Sequence, residues 1–166
     1  MLKRLSSVLV FVLLATLMLT ACGEPDRSDY KVGMITDLGG IDDRSFNQTS
    51  WAGIELAEEE LGIQGDYLES QQQTDYAPNI TQFINQGYSL IVTVGFLLAD
   101  ATAEFAIANP DVSFAIVDFA YDPPIDNVRA LTFATDEAAF LAGYAAAAAT
   151  QTGRVATFGG INIPTV

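Results

Sequence analysis

Three aspartates and two glycines crowd into Asp37-Leu38-Gly39-Gly40-Ile41-Asp42-Asp43, and an aromatic–amide pair, Phe46-Asn47, follows almost at once. Each group offers a chemistry. A glycine pair can let backbone N–H groups wrap a phosphate, but GxGxxG spacing is missing, no Lys-Ser/Thr follows, and the carboxylates would repel the anion. Asp37, Asp42 and Asp43 can chelate a hard cation such as calcium or magnesium, although not with EF-hand spacing. A solvated acidic turn capping the next helix accounts for Asp42 and Asp43 without any function and is the preferred reading of those two. Phe46 and Asn47 can offer a planar ligand one ring face and one hydrogen-bonding edge, or they are a core phenylalanine and a cap-region asparagine. Asp118 closes an otherwise apolar run, Phe114-Ala115-Ile116-Val117, where a carboxylate either meets a ligand or caps a helix. Asp37 with Asp118 is also the minimum for a carboxylate pair acting on a glycosidic bond.

These residues fall on an alternation of β-rich and helical stretches. Tyr30 to Thr36 reads as a strand. Ser45 is a plausible N-cap for a helix reaching about Leu61, with Trp51, Ile54, Ala57 and Leu61 at helical spacing and Gly62 closing it. Gln64 to Glu69 reads as a strand, Pro78 opens a short helix bearing Ile80, Phe83 and Ile84, and Gly87 ends it. Ser89 to Val94 and Val112 to Val117 are apolar enough to be parallel strands buried on both faces, with a helix from Leu97 to Asn109 between them. The fold class expected is α/β, a doubly wound parallel sheet with helices on both faces. In such sheets ligands sit at the carboxyl ends of the strands. Asp37–Asn47, Ser70–Asp75, Gly95-Phe96 and Asp118-Phe119 all lie there. A strand over Val128–Phe133, an Ala-rich helix over Asp136–Thr150 and a strand over Arg154–Phe158 read as the opening of a second lobe.

Composition removes whole classes of function. With no histidine and one cysteine among 166 residues, Ser-His-Asp and Cys-His catalysis are excluded and zinc or copper sites are improbable. No cofactor is called for. The cysteine, Cys22, follows Leu19-Thr20-Ala21, after a positive Lys3-Arg4 and an apolar Val8–Leu19. That run is shorter than the ~20 residues a membrane-spanning helix needs and has the layout of a signal peptide. Cysteine after Leu-Thr-Ala looks like a bacterial lipobox, in which the thiol accepts a diacylglyceryl group. Losing Lys3 and Arg4 moves the formal charge from −14 to −16, which speaks against nucleic acid as a partner.

Val32-Gly33-Met34-Ile35-Thr36-Asp37-Leu38-Gly39-Gly40-Ile41-Asp42-Asp43-Arg44-Ser45-Phe46-Asn47-Gln48 resembles the opening of the basic membrane protein (Bmp/PnrA-like) family of substrate-binding lipoproteins. Val94-Gly95-Phe96, Ile116-Val117-Asp118, Ala139–Tyr144 and Gly159–Pro164 are similar to later motifs of that family. The resemblance implies an extracytoplasmic solute-binding protein of two α/β lobes that captures a nucleoside, purine favoured, for the permease subunits of an ABC importer. It is not an enzyme on this reading. The alternative is a ligand-sensing lipoprotein that signals to a membrane partner. The resemblance places Phe46 against the base, Asn47 and Asp118 on its hydrogen-bonding edge, Asp37 beside the ligand and Gly95-Phe96 in the wall of the first lobe. The implied domains are a signal peptide over 1–21, a tether over 22–29 lipidated at Cys22, a ligand-binding lobe over 30–127, and the start of a second lobe over 128–166. The protein would be held by its lipid on the outer side of the cell membrane. Because family members are roughly twice as long, the second lobe is expected to be truncated and binding by this chain alone to be weak or absent.

Overall fold

The computed structural model describes residues 29–158. Cys22, the preceding leader and the Gly159–Pro164 motif lie outside the described residues. The order of elements is β1 (Lys31–Ile35), α1 (Phe46–Leu61), β2 (Gln64–Leu68), α2 (Tyr76–Asn85), β3 (Leu90–Val94), α3 (Ala99–Ala108), β4 (Ser113–Val117), β5 (Val128–Leu131) and α4 (Thr135–Ala149). Single 3₁₀ turns at Gln73–Asp75 and Phe96–Leu98 lead into α2 and α3.

The strands form one sheet in the order β2-β1-β3-β4-β5, parallel throughout. Apolar sequence goes to the middle and polar sequence to the side. Ile91, Val94, Phe114 and Ile116 are buried in β3 and β4, whereas β2 (QGDYL) is an edge strand with Gln64 and Asp66 in water. Helices cover both faces. On one face Ile80 and Phe83 of α2 and Leu98 and Ala106 around α3 pack with Ile35, Ile91 and Phe114. On the other, Ile54 and Trp51 of α1 pack with Val32, Met34 and Val94. Gly33 allows α2 to lie this close, since a Cβ there would stand 2.7 Å from the Phe83 ring.

Four details differ from the sequence reading. The N-cap position of α1 is Ser45, but its side chain makes no capping bond. Asp43 caps from two residues further out, its longer arm reaching three N–H groups. Leu61 is exposed rather than packed. The strand assigned to the second lobe at Val128 pairs with β4 and is the fifth strand of the first sheet. Arg154–Phe158 is not a strand, for no neighbouring strand supplies hydrogen bonds to it. Helix α4 is exposed along its whole length, Phe140, Leu141 and Tyr144 included.

Candidate functional site

The order β2-β1-β3 makes the chain leave β1 toward one edge and leave β3 toward the other. The crevice therefore opens between the carboxyl ends of β1 and β3, the topological switch point where ligands of open α/β sheets bind. Asp37 follows β1 and Gly95 follows β3. The two meet: a Cβ on Gly95 would stand 3.3 Å from Asp37 Oδ2, and Gly95 adopts φ 93°, which side-chain-bearing residues rarely do.

Asp37 has two unlike oxygens. Oδ1 accepts the N–H of Gly39 at 2.9 Å and the amide Nδ2 of Asn47 at 2.8 Å. Oδ2 accepts no hydrogen bond from the described residues. The carboxylate is thus fixed in orientation by one oxygen while the other remains free to take a donor. Asn47 is 0% exposed. Its backbone N–H donates to Asp43 Oδ2 at 3.1 Å, and its own Oδ1 is buried without a partner. It sits behind Asp37 rather than on the open surface.

The loop between β1 and α1 is braced from two sides. Asp43 Oδ1 accepts from Ser45 and Gln48, at 2.8 and 3.1 Å, satisfying N–H groups that a helix start leaves unpaired. Burial opposes ionisation of Asp43, but the hydrogen bonds from Gln48, Asn47 and Ser45 outweigh it and hold the carboxyl below its ordinary 3.8. At the far side Glu69 Oε1 accepts the N–H of Ile41 at 2.7 Å, tying the loop to the end of β2. The three aspartates do not gather as ligands, and the described residues include no cluster of three or more carboxylate, His or Cys side chains suited to a metal.

Beside this loop the Phe46 ring is 43% exposed. It meets the exposed Phe133 ring edge-to-face, with centroids 5.6 Å apart and planes at 64°. Phe133 comes just after β5, and sequence reasoning missed it because nothing local marks an aromatic in a connecting segment. Phe96 is half-buried and opens the turn after Gly95. Asp118 is half-buried, and burial raises its carboxyl above the ordinary value. It holds a left-handed backbone (φ 62°), a conformation aspartate tolerates better than most residues, and its N–H donates to Leu131 at 2.8 Å. Gly95 in turn donates to Val117 at 3.0 Å. Asp37, Gly95 and Asp118 therefore follow one another along the strand ends, with Phe46 and Phe133 at the rim.

Known proteins resemble this chain along most of its length. Residues 30–166 match the Bmp family, described as ABC transporter substrate-binding protein PnrA-like. The chain belongs to this family. It is 36% identical over 171 residues to the ABC transporter nucleoside-binding protein BmpA of Lactococcus lactis subsp. cremoris, covering 96% of this chain and 48% of that one. An uncharacterised lipoprotein of Pyrococcus abyssi is 35% identical over 114 residues, 68% of this chain and 28% of that protein. Among solved structures, an ABC transporter solute-binding protein from Aeropyrum pernix K1 superposes with a TM-score of 0.66 at 32% identity, over 71% of this chain and 32% of that one. The chain spans about half the length of BmpA and less of the other two. It shares with that family an α/β fold built on a parallel sheet.

Proposed function

We propose that this chain carries the first ligand-binding lobe of an extracytoplasmic lipoprotein that captures nucleosides, purine ones favoured, and passes them unchanged to an ABC permease in the membrane. The observation that carries the reading is the divided Asp37 carboxylate. Its Oδ1 is fixed by Gly39 and Asn47 and its Oδ2 takes no donor from the described residues, in the loop that leads to the half-exposed Phe46 ring. A nucleoside supplies what that pair lacks, a flat π-face for the ring and an N–H or hydroxyl donor for the oxygen. Asp118 adds a second acceptor, and Gly95-Phe96 forms the wall between them. Asn47 takes part by holding Asp37. The nucleoside-binding relative in Lactococcus lactis supports the same ligand class.

The test is a titration of the ¹⁵N-labelled chain lacking residues 1–22 with inosine, guanosine, adenosine and cytidine, followed by chromatography of the recovered nucleoside. Saturable shifts at Gly39, Asn47 and Gly95 with intact nucleoside recovered are expected. Shifts confined to residues away from Asp37 and Gly95, or release of free base, would refute the reading. Anchoring rests on Cys22, where ~0.8 kcal/mol per buried methylene makes two or more acyl chains a stable attachment. Cys22→Ala should move the protein from the membrane fraction to the soluble one or leave its leader uncleaved. A processed form still extracted only by detergent would contradict the lipid anchor.

A further inference from the structure

Phe46 is the first residue of α1, and the ring it meets, Phe133, lies in the short segment between β5 and α4. Both backbones are held. Ser45 and Asn47, which flank Phe46, donate their N–H groups to Asp43 at 2.8 and 3.1 Å. Leu131, two residues before Phe133, is paired with Val117, and its carbonyl accepts the Asp118 N–H at 2.8 Å. What remains to be settled at Phe46 is the side chain, a rigid ring on two torsions. Both rings are exposed, and neither belongs to the core clusters on the two faces of the sheet. Core packing therefore does not call for an aromatic at Phe133.

The geometry of the contact suits a different purpose. With centroids 5.6 Å apart and planes at 64°, the rings adopt the edge-to-face arrangement that their quadrupoles favour. In such a contact Phe133 engages either the edge of Phe46 or one of its faces, so at least one face stays open to a planar ligand. A side chain that is ordered only when the ligand arrives loses its freedom at that moment and weakens binding, whereas one already ordered by a neighbour does not. We propose that Phe133 is a positioning residue for Phe46. It holds the ring in the orientation on which a nucleoside base stacks and does not touch the ligand itself. This inference rests on the nucleoside reading above, since it needs a planar ligand on Phe46.

The experiment compares wild type, Phe133→Ala, Phe133→Tyr, Phe46→Ala and the Phe46→Ala/Phe133→Ala double variant, each in a full-length, two-lobed version, by inosine titration and thermal melt. Phe133→Ala should bind inosine about 2- to 12-fold more weakly than wild type, with a melting point within about 2 °C of it. Phe133→Tyr, which keeps the ring, should bind as wild type does. In the Phe46→Ala background the further loss of Phe133 should change nothing, because a residue that acts through Phe46 has no effect once Phe46 is gone. Unchanged affinity in Phe133→Ala overturns the inference. So does an equal loss in both backgrounds, which would mean that Phe133 acts on the ligand or the fold directly, and so does a Phe133→Tyr variant as weak as Phe133→Ala. Phe46→Ala with wild-type affinity overturns it too, and all four results leave nucleoside binding standing. A wild type that takes no inosine refutes the nucleoside reading and this inference together, which sets that failure apart from the others.

Discussion

Replacing Gly95 by alanine tests the heart of the site, because two separate costs can be worked out for it. The backbone there has φ 93° and ψ 153°, a region essentially confined to glycine, and holding another residue in it costs about 1–3 kcal/mol. For a domain of this size that corresponds to a fall in Tm of roughly 4–12 °C. The new Cβ would also stand 3.3 Å from Asp37 Oδ2, 3.7 Å from its Cβ and 3.8 Å from its Cγ. Either the carboxylate or the β3 terminus must yield by a few tenths of an ångström, and the methyl group then lies against the oxygen assigned to the ligand. A lost hydrogen bond to a charged group costs about 1.5–3 kcal/mol, or roughly 10- to 150-fold in Kd. Gly62→Ala is the control. Gly62 has φ 68° with nothing within 4 Å of its Cβ, so alanine there should cost about 1–2 kcal/mol of strain and leave affinity alone. Scanning calorimetry and inosine titration of both variants separate the two costs. If Gly95→Ala melts with wild type, the strained backbone is not required. If it melts lower yet binds inosine as wild type does, Asp37 Oδ2 is not the ligand's acceptor.

Phe46→Ala in a full-length, two-lobed version should weaken inosine binding by the ~1–3 kcal/mol of a base–aromatic stack while leaving the fold intact, since the residue is 43% exposed; undiminished affinity would remove Phe46 from the site. Asp43→Ala should cost about 1 kcal/mol, within the range of roughly 0.5–2 for a lost N-cap, measured by urea unfolding at neutral pH. Burial raises the Asp43 carboxyl but the bonds from Gln48, Asn47 and Ser45 lower it more, so its folded value lies below the unfolded one. The wild-type advantage is then complete above about pH 4 and disappears as pH falls through the lower folded value. A deficit that persists undiminished in stronger acid would mean that the ionised cap is not its source.

Much of the architecture was legible because it rests on local pattern. The apolar runs at Leu90–Val94 and Phe114–Val117 announce central strands, and Gly62 and Gly87, both at positive φ, end helices where expected. The failures have a common physical form. A strand is a property of pairing, so Arg154–Phe158 reads as one although no described strand pairs with it, and Val128–Phe133 reads as second-lobe although Val128–Leu131 pairs with β4. The site divides in the same way. Phe46, Asp37 and Asp118 were visible as residue types at strand ends. Asn47, open in sequence between cap-region residue and ligand contact, bonds to Asp37, a tertiary contact that no spacing in the sequence encodes. Gly95 against Asp37 joins segments far apart in the chain, and only the sheet order brings them together.

That order also limits what the described residues can do by themselves. A ligand resting on the strand ends meets one ring and one or two carboxylate oxygens, and its opposite side faces water. Stacking of ~1–3 kcal/mol with one charged hydrogen bond of about 1.5–3 kcal/mol exceeds even the lower estimates, around 4 kcal/mol, for the freedom lost on association by about 2 kcal/mol at most, which is weak binding. A small-molecule site reaches high affinity by burying most of the ligand, which an open platform does not. Relatives such as BmpA are about twice as long, enough for a second lobe of similar size to cover that side. In such a protein the half described here would supply orientation, through an aspartate held by one oxygen and a ring at the rim, and the covering half would supply most of the burial. Substitutions at Gly95 and Asn47 should therefore change which ligands are accepted more than a comparable loss of apolar contact would.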